Sequence, residues 1–418
     1  MPKQTLCVIG GGAAGFFAAI HAAQTMQNRP VPGKVVLLEG STRFLQKVRI
    51  SGGGRCNVTH HDFNIRSFVT NYPRGQKEVL SAMHQFQASD LVQWFKQAGV
   101  SLKVEADGRM FPVTDDSETI IDCLMKQAKL LGVQLDKSFA AMSVVKKSDV
   151  FVIQDRKGQV LEADKVLLAT GSSPDGYKIA KQLGHTITPL APSLFSFKIE
   201  HLLLHDMQGT SFPNAQVVLC VGDKNQEVFK QQAPVLITHW GVSGPGILKI
   251  SAWAARVMQE YQYKGILTVN WVGQKTEIIQ AYLDKKKRSH PNVNIGNLIV
   301  EGVTKKFWQR ILHIENIQTS LSIGQISKKK LTRLAFALTK TVLQVEGKNR
   351  FKDEFVECGG VDLREIDMKT MQSKCVPGLF FAGEIMDVDG ITGGFNLQHA
   401  WTSGWVAGQN MVSLLPLC

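Results

Sequence analysis

The most constraining feature of the chain lies at its start. The apolar residues Leu6, Cys7, Val8 and Ile9 run without a polar break into Gly10-Gly11-Gly12-Ala13-Ala14-Gly15. An apolar run with no helical period reads as a buried strand, and a GxGxxG directly after it reads as a tight turn that opens a helix. Gly10 permits the turn, Gly12 leaves the backbone bare where a pyrophosphate must come close, and Gly15 lets the helix lie against the strand. The phosphates then sit at a helix N-terminus, where the N–H groups of the turn containing Ala13 and Ala14 attract an anion. A second apolar run, Val35-Val36-Leu37-Leu38, ends at Glu39, which follows Gly15 by 24 residues. That is where this motif places a carboxylate for ribose hydroxyls, and its charge disfavours a 2′-phosphate. The segment therefore predicts an α/β, Rossmann-like dinucleotide site suited to FAD or NAD rather than NADP.

Composition narrows the class. The chain has 418 residues, 44% hydrophobic and 20% charged, which suits two to three globular domains and excludes a disordered chain. Its seven cysteines are scattered with no CxxC, so a disulfide framework, a structural zinc site and a dithiol centre are not expected, and a reducing cytoplasm fits. No metal is predicted. No apolar run reaches the length of a membrane span. The segment 6–23 has the look of a secretory core, but a glycine triplet at its centre argues against that reading. A net charge of +13 favours anionic partners.

Two later segments choose between the dinucleotides. A strand-like run at 165–168 ends in Ala169-Thr170-Gly171, after a hairpin-like region at 141–163, and Gly378-Leu379-Phe380-Phe381-Ala382-Gly383-Glu384 is another strand ending at an acid. Together with GxGxxG these look like the two-dinucleotide-fold flavoproteins, which assemble their FAD site from both chain ends. Four longer motifs sharpen the resemblance: 47–59 (KVRISGGGRCNVT), 108–112 (GRMFP), 238–245 (THWGVSGP) and 383–398, the last including GITGGFNLQ. Over almost its whole length the chain resembles the bacterial flavoproteins called the HI0933-like or YhiN family. Aminoacetone oxidase-like and bile-acid-pathway flavin reductase-like (BaiN-like) proteins are its relatives.

The resemblance implies roles for these residues. Gly53 and Gly54, in a loop stripped of side chains, would let backbone N–H groups approach the flavin. Arg55 would supply a fixed cation, Asn57 an amide, and Lys47 a movable cation near the ring or substrate. Cys56 lines the same loop, with packing the stronger reading. Thr170 and Gly171 would border the cofactor. Gly383 and Glu384 would face the ribityl chain with Asp389 in the following loop, and Gly394, Asn396 and Leu397 would open a final helix toward the flavin. The turn at 238–246 reads alone as a second nucleotide loop, but Pro245 interrupts it and no acidic second strand follows; the resemblance makes it part of an inserted domain. His239 there is the candidate substrate-side acid or base, since its ordinary pKa lies near neutrality. His399 reads as structural.

The expected organisation is a split FAD-binding domain, 1–190 and 346–418. Into it are inserted a β-rich subdomain at 191–274, barrel-like by resemblance, and a basic helical subdomain at 275–345. The clusters Lys285-Lys286-Lys287-Arg288 and Lys328-Lys329-Lys330 read either as a solvated face or as a surface for RNA, DNA or a membrane. Trp308 and Phe336 are assigned to helix packing. The expected function is FAD-dependent oxidation or reduction at flavin N5 of a small or medium organic substrate, with NAD(P)H as transient co-substrate or oxygen as acceptor. The alternatives are a flavoprotein that binds or modifies nucleic acid such as tRNA, and a flavin redox sensor. Oligomeric state and substrate are not readable.

Overall fold

A computed structural model describes residues 3–29, 31–223, 226–349 and 356–412. They form two compact units, one from 1–191 with 356–418 and one from 192–355.

The first unit is built on the predicted start. β1 (Gln4–Ile9) pairs in parallel with β2 (Gly33–Glu39) on one side and with Lys165–Leu168 on the other. The parallel core continues to Gln134–Lys137 beyond β2 and to Leu379–Phe381 beyond Lys165–Leu168, where an antiparallel hairpin, Ile366–Asp367 and Gln372–Ser373, closes the edge. Strands covered on both faces need apolar residues throughout rather than in alternation. Leu6, Cys7, Val8, Val36, Leu37, Val166, Leu167 and Leu168 are all fully buried. The hairpin-like region is a separate three-stranded antiparallel sheet of Ala141–Lys147, Val150–Asp155 and Val160–Ala163.

One chain end is clamped onto the other by α1 (Ala13–Asn28) and the last helix, Phe395–Met411. A Cβ at Gly404 would lie 2.5 Å from the carbonyl oxygen of Ala14, and one at Gly408 2.5 Å from that of Ala18. The two glycines are four residues apart, on one helix face, so the backbones meet along a bare seam. Ser403 on the same helix accepts the Gly383 N–H at 2.9 Å, and Trp401 donates its indole N–H to the Val58 carbonyl at 3.0 Å.

His21 of α1 is caged by Phe17, Phe86, Trp94 and Trp405. Burial lowers its pKa to about 3, and burial lowers that of His399 to about 4, a shift opposed by its contact with the Gly383 carbonyl. Both rings stay neutral in the folded chain while the unfolded chain protonates near pH 6.5. Stability is therefore full above that pH and falls as pH drops toward 4, by about 1.4 kcal/mol per pH unit for each histidine. Urea unfolding at pH 7 and pH 5 is expected to show a loss of about 4 kcal/mol from the pair, and His21→Phe to remove about half of it. An unchanged pH slope in that variant would contradict this account.

The second unit holds two antiparallel sheets. One is ordered Ser211–Phe212, Val235–Thr238, Gly241–Ser243, Phe197–Lys198, Gly347–Lys348; the other Glu227–Gln232, Gln216–Val221, Gly265–Asn270, Thr341–Val345. After the turn at 238–246 the chain forms two helices, Pro245–Trp253 and Ala255–Glu260, and Pro245 sits at the first helical position, where its missing N–H costs nothing. The helices Thr276–Ser289, Lys305–Ile314 and Lys328–Thr339 complete the unit. Trp308 is buried, as helix packing requires, but Phe336 is 43% exposed and lies under the Lys340 ammonium, so packing does not account for it.

Candidate functional site

The glycines of the first turn have different reasons to be glycine. Gly10 has φ +113° and would carry its Cβ 2.3 Å from the Ala169 carbonyl oxygen; at Gly15 the Cβ would lie 1.9 Å from the Gly10 oxygen. The fold itself demands both. Gly12 has φ −89°, open to any residue, and a Cβ there would meet nothing within 4 Å. Neither backbone nor packing within the chain explains it, and the N-cap of α1 stands bare. No side chain caps this helix and its first turn carries no acid, which leaves its N-terminal N–H groups and dipole to an anion. Glu39 is oriented at the end of β2 by the N–H groups of Gly11 at 2.8 Å and Ser41 at 2.7 Å.

The loop after β2 forms a second bare surface. Helix α2 (Gln46–Gly54) loses its helical dihedrals at Ser51, Gly52 and Gly53; Gly52, Gly53 and Gly54 have φ of +59°, +69° and +85°. Added side chains at Gly53 and Gly54 would meet no atom within 4 Å. Cys56 is fully buried and burial pushes its thiol up to about 12, so it stays protonated and serves packing. Asn57, with its amide oriented to satisfy both ends, donates to the Thr59 carbonyl at 3.1 Å and accepts the Gly394 N–H at 3.0 Å. It thereby ties this loop to the start of the last helix.

Lys47 Nζ lies 2.5 Å from Glu384 Oε2 and 3.1 Å from Ser172 Oγ. Glu384 also accepts the Glu357 N–H at 3.2 Å, and Gly171 borders its carboxylate. The α2 region, the ATG segment and the GE segment thus converge on one carboxylate. Two hydroxyls in this neighbourhood, Thr170 Oγ1 and Tyr177 Oη, are buried with no hydrogen-bond partner among the described residues. Tyr177 is held protonated first by burial and then by the carboxylates of Glu357, Glu384 and Asp387. Buried hydroxyls without a partner are costly, and a polar ligand would satisfy them.

Three expected residues are committed elsewhere. Arg55 does not offer an unopposed cation: its guanidinium pairs with Glu105 at 2.6 Å and Asp115 at 3.5 Å and lies 4.0 Å above the Phe111 ring. Asp389 is fully buried in a bidentate pair with Arg74. The Asn396 amide bonds both the N–H and the carbonyl of Gly390 at 2.8 Å, closing the loop rather than reaching out of it. Leu397 follows in the first turn of the last helix, with Gly394 as its N-cap at φ +97°. His239 lies in the second unit, exposed on the turn between Val235–Thr238 and Gly241–Ser243, and its ring makes no hydrogen bond among the described residues.

Residues 4–410 match the model of the HI0933-like protein Rossmann domain. The chain belongs to this family. It is accordingly a flavin-dependent oxidoreductase, as its motifs imply. Among curated proteins it is 29% identical over 424 residues to a ribosomal RNA dihydrouridine synthase of Escherichia coli, covering 99% of each chain. It is 27% identical to a 3-dehydro-bile acid delta(4,6)-reductase of Clostridium scindens, covering 96% of this chain and 97% of that one. A solved 3-ketosteroid dehydrogenase of Rhodococcus jostii shares the fold, with a TM-score of 0.51 and 13% identity over 98% of this chain and 97% of the other. No helix among the described residues is long and apolar enough to cross a membrane.

Proposed function

We propose that this chain is an FAD-dependent reductase of a carbon–carbon double bond conjugated to a carbonyl. The observation that carries the reading is chemical. Two full-length relatives are named for different substrates, yet a uracil ring reduced to dihydrouridine and a 3-keto bile acid reduced at its delta bonds share that bond. Bound FAD supplies hydride exchange at N5.

The residues fit the group. The bare position at Gly12 and the first turn through Ala13, Ala14 and Gly15 would take the pyrophosphate, and Glu39 the adenosine ribose. Glu384, Gly383 and Thr170 would bind the ribityl side. The N–H groups around Gly53, Gly54 and Leu397 would meet the ring, with Gly394 starting the helix that carries Leu397. Lys47, bonded to Glu384 through a largely exposed side chain, is free to turn toward a developing negative charge on ring or substrate. Arg55, Asn57 and Asn396 brace these loops. NAD(P)H is the proposed electron donor, and a reducing cytoplasm the proposed location, consistent with the free thiols of all six described cysteines.

Of the two substrate classes, RNA is favoured by the second unit. The two basic clusters, distant in sequence, adjoin: Lys287 Nζ bonds the Ile326 carbonyl at 2.5 Å, just ahead of the helix that Lys328, Lys329 and Lys330 begin. Cations at a helix N-terminus oppose its dipole, so helix stability does not explain them, whereas phosphate binding does. The test is to incubate the flavin-loaded protein with NADPH and either ribosomal RNA or a 3-keto-4-ene steroid. Nucleoside mass analysis is expected to find dihydrouridine in the RNA, with yield falling as salt rises. Reduction of the steroid alone would move the assignment to a small-molecule enone; oxidation of NADPH that reduces neither would sink the reading.

A further inference from the structure

We propose that His185, Glu365 and Cys375 form a binding site for one divalent cation, with zinc the best match. One nitrogen, one oxygen and one sulfur donor from these residues all lie within 4.8 Å of one another. Nothing in the flavin chemistry uses them.

Local structure explains how three separated residues meet. The helix Pro174–Gln182 ends at Leu183, Gly184 turns the chain at φ +88°, and the His185 N–H returns to the Ala180 carbonyl. The edge hairpin supplies the other two: Ile366 pairs with Ser373, and one step outward the Lys374 N–H bonds the Glu365 carbonyl. Glu365 and Cys375 therefore flank the open end of the hairpin on the side that meets the helix. The Glu365 carboxylate is already turned inward by the Thr186 N–H at 2.9 Å on Oε2.

The histidine is the observation that sets this group apart from a chance surface cluster. His185 is 4% exposed and packs edge-on against Phe381 at 4.8 Å. Its Nε2 contacts Ser373 Oγ at 2.9 Å, while Nδ1 is buried with no hydrogen-bond partner among the described residues. Ser373 accepts the N–H groups of Cys375 at 3.0 Å and Val376 at 2.8 Å, so it holds the ring and the Cys375 backbone together. The imidazole is thus held in place beside the other two donors, with Nδ1 left unpaired among the described residues.

The donor set selects the metal. A thiolate, an imidazole and a carboxylate are a borderline-soft mixture that suits zinc over calcium or magnesium, which prefer all-oxygen shells. Zinc bonds of about 2.0–2.3 Å in a tetrahedron place donors roughly 3.3–3.8 Å apart. The longest separation must therefore close by about 1 Å, and Cys375, exposed at a hairpin end, is the mobile partner. On binding, the Cys375 thiol gives its proton to solvent and the sulfur lone pair bonds the cation; no electron is transferred. The fourth position is left to water. The cation would pin the edge hairpin to the helix end.

The test uses the full-length, flavin-loaded protein, stripped with a chelator and titrated with zinc chloride against a fluorescent zinc indicator. The parent chain is expected to bind stoichiometric zinc, and zinc to protect Cys375 from alkylation. Cys375→Ser and Glu365→Gln, both at accessible positions, are each expected to weaken binding at least about tenfold and to leave flavin content unchanged. No zinc bound at micromolar concentration, or binding equally tight in both variants, would overturn the proposal.

Discussion

Gly12→Val is expected to give a folded protein that has lost its flavin. The position has an ordinary φ of −89° and open space where a side chain would go, so the substitution creates no clash within the chain. Its cost to folding is a poorer helix start, about 1 kcal/mol. The branched side chain would instead fill the approach to the first turn of α1, displacing a pyrophosphate from the helix N-terminus. Affinity for FAD should fall at least about 100-fold, or about 2.7 kcal/mol. Circular dichroism and urea unfolding should match the parent chain without flavin, while the purified variant is colourless and takes up no FAD. Full flavin occupancy would mean that the pyrophosphate lies elsewhere.

Gly404→Val is expected to do the opposite, damaging the fold first. Its Cβ would lie 2.5 Å from the Ala14 carbonyl oxygen, an atom of α1 that cannot rotate away. Relief requires the last helix to move off α1, opening a seam lined by buried Ala18, Ala22, Trp401 and Ala407. Overpacking against backbone costs about 3 kcal/mol or more. Because Gly383 hangs from Ser403 on the same helix, the GE segment should shift as well, so flavin is lost along with stability. Urea unfolding of the flavin-free protein separates the two cases: Gly404→Val should unfold at clearly lower denaturant than Gly12→Val. Equal midpoints would show that the seam is not tight.

What the sequence reveals and what it hides follow from the range of the forces involved. The strand, GxGxxG turn, helix and Glu39 are legible because each rests on local stereochemistry or on the unbroken apolar character of a doubly covered strand. The GE segment is legible for the same reason. Asp389 is not, since its partner Arg74 stands 315 residues away and nothing near Asp389 announces it. Arg55 is misread likewise, because Glu105 and Asp115 meet it only through folding. A carboxylate or guanidinium in a glycine-rich loop looks available until its counter-charge is located. Thr170 is visible as part of the ATG segment, but its unpartnered hydroxyl is a property of burial, as is that of Tyr177, which the motifs pass over. The seam at Gly404 and Gly408 does leave a signal, two glycines four apart on one helix face. The zinc donors leave none, because His185 reaches Glu365 and Cys375 across the sheet edge rather than through a metal-ligand spacing.

In the proposed enzyme both chain ends close around a flavin that drives reduction. The most direct measurement is the absorbance spectrum of the purified protein under anaerobic conditions, before and after NADH and then NADPH. Flavin bands, FAD rather than FMN released on denaturation, and bleaching by one of the two nicotinamides are expected. A protein without flavin bands that gains none when FAD is added would contradict that expectation.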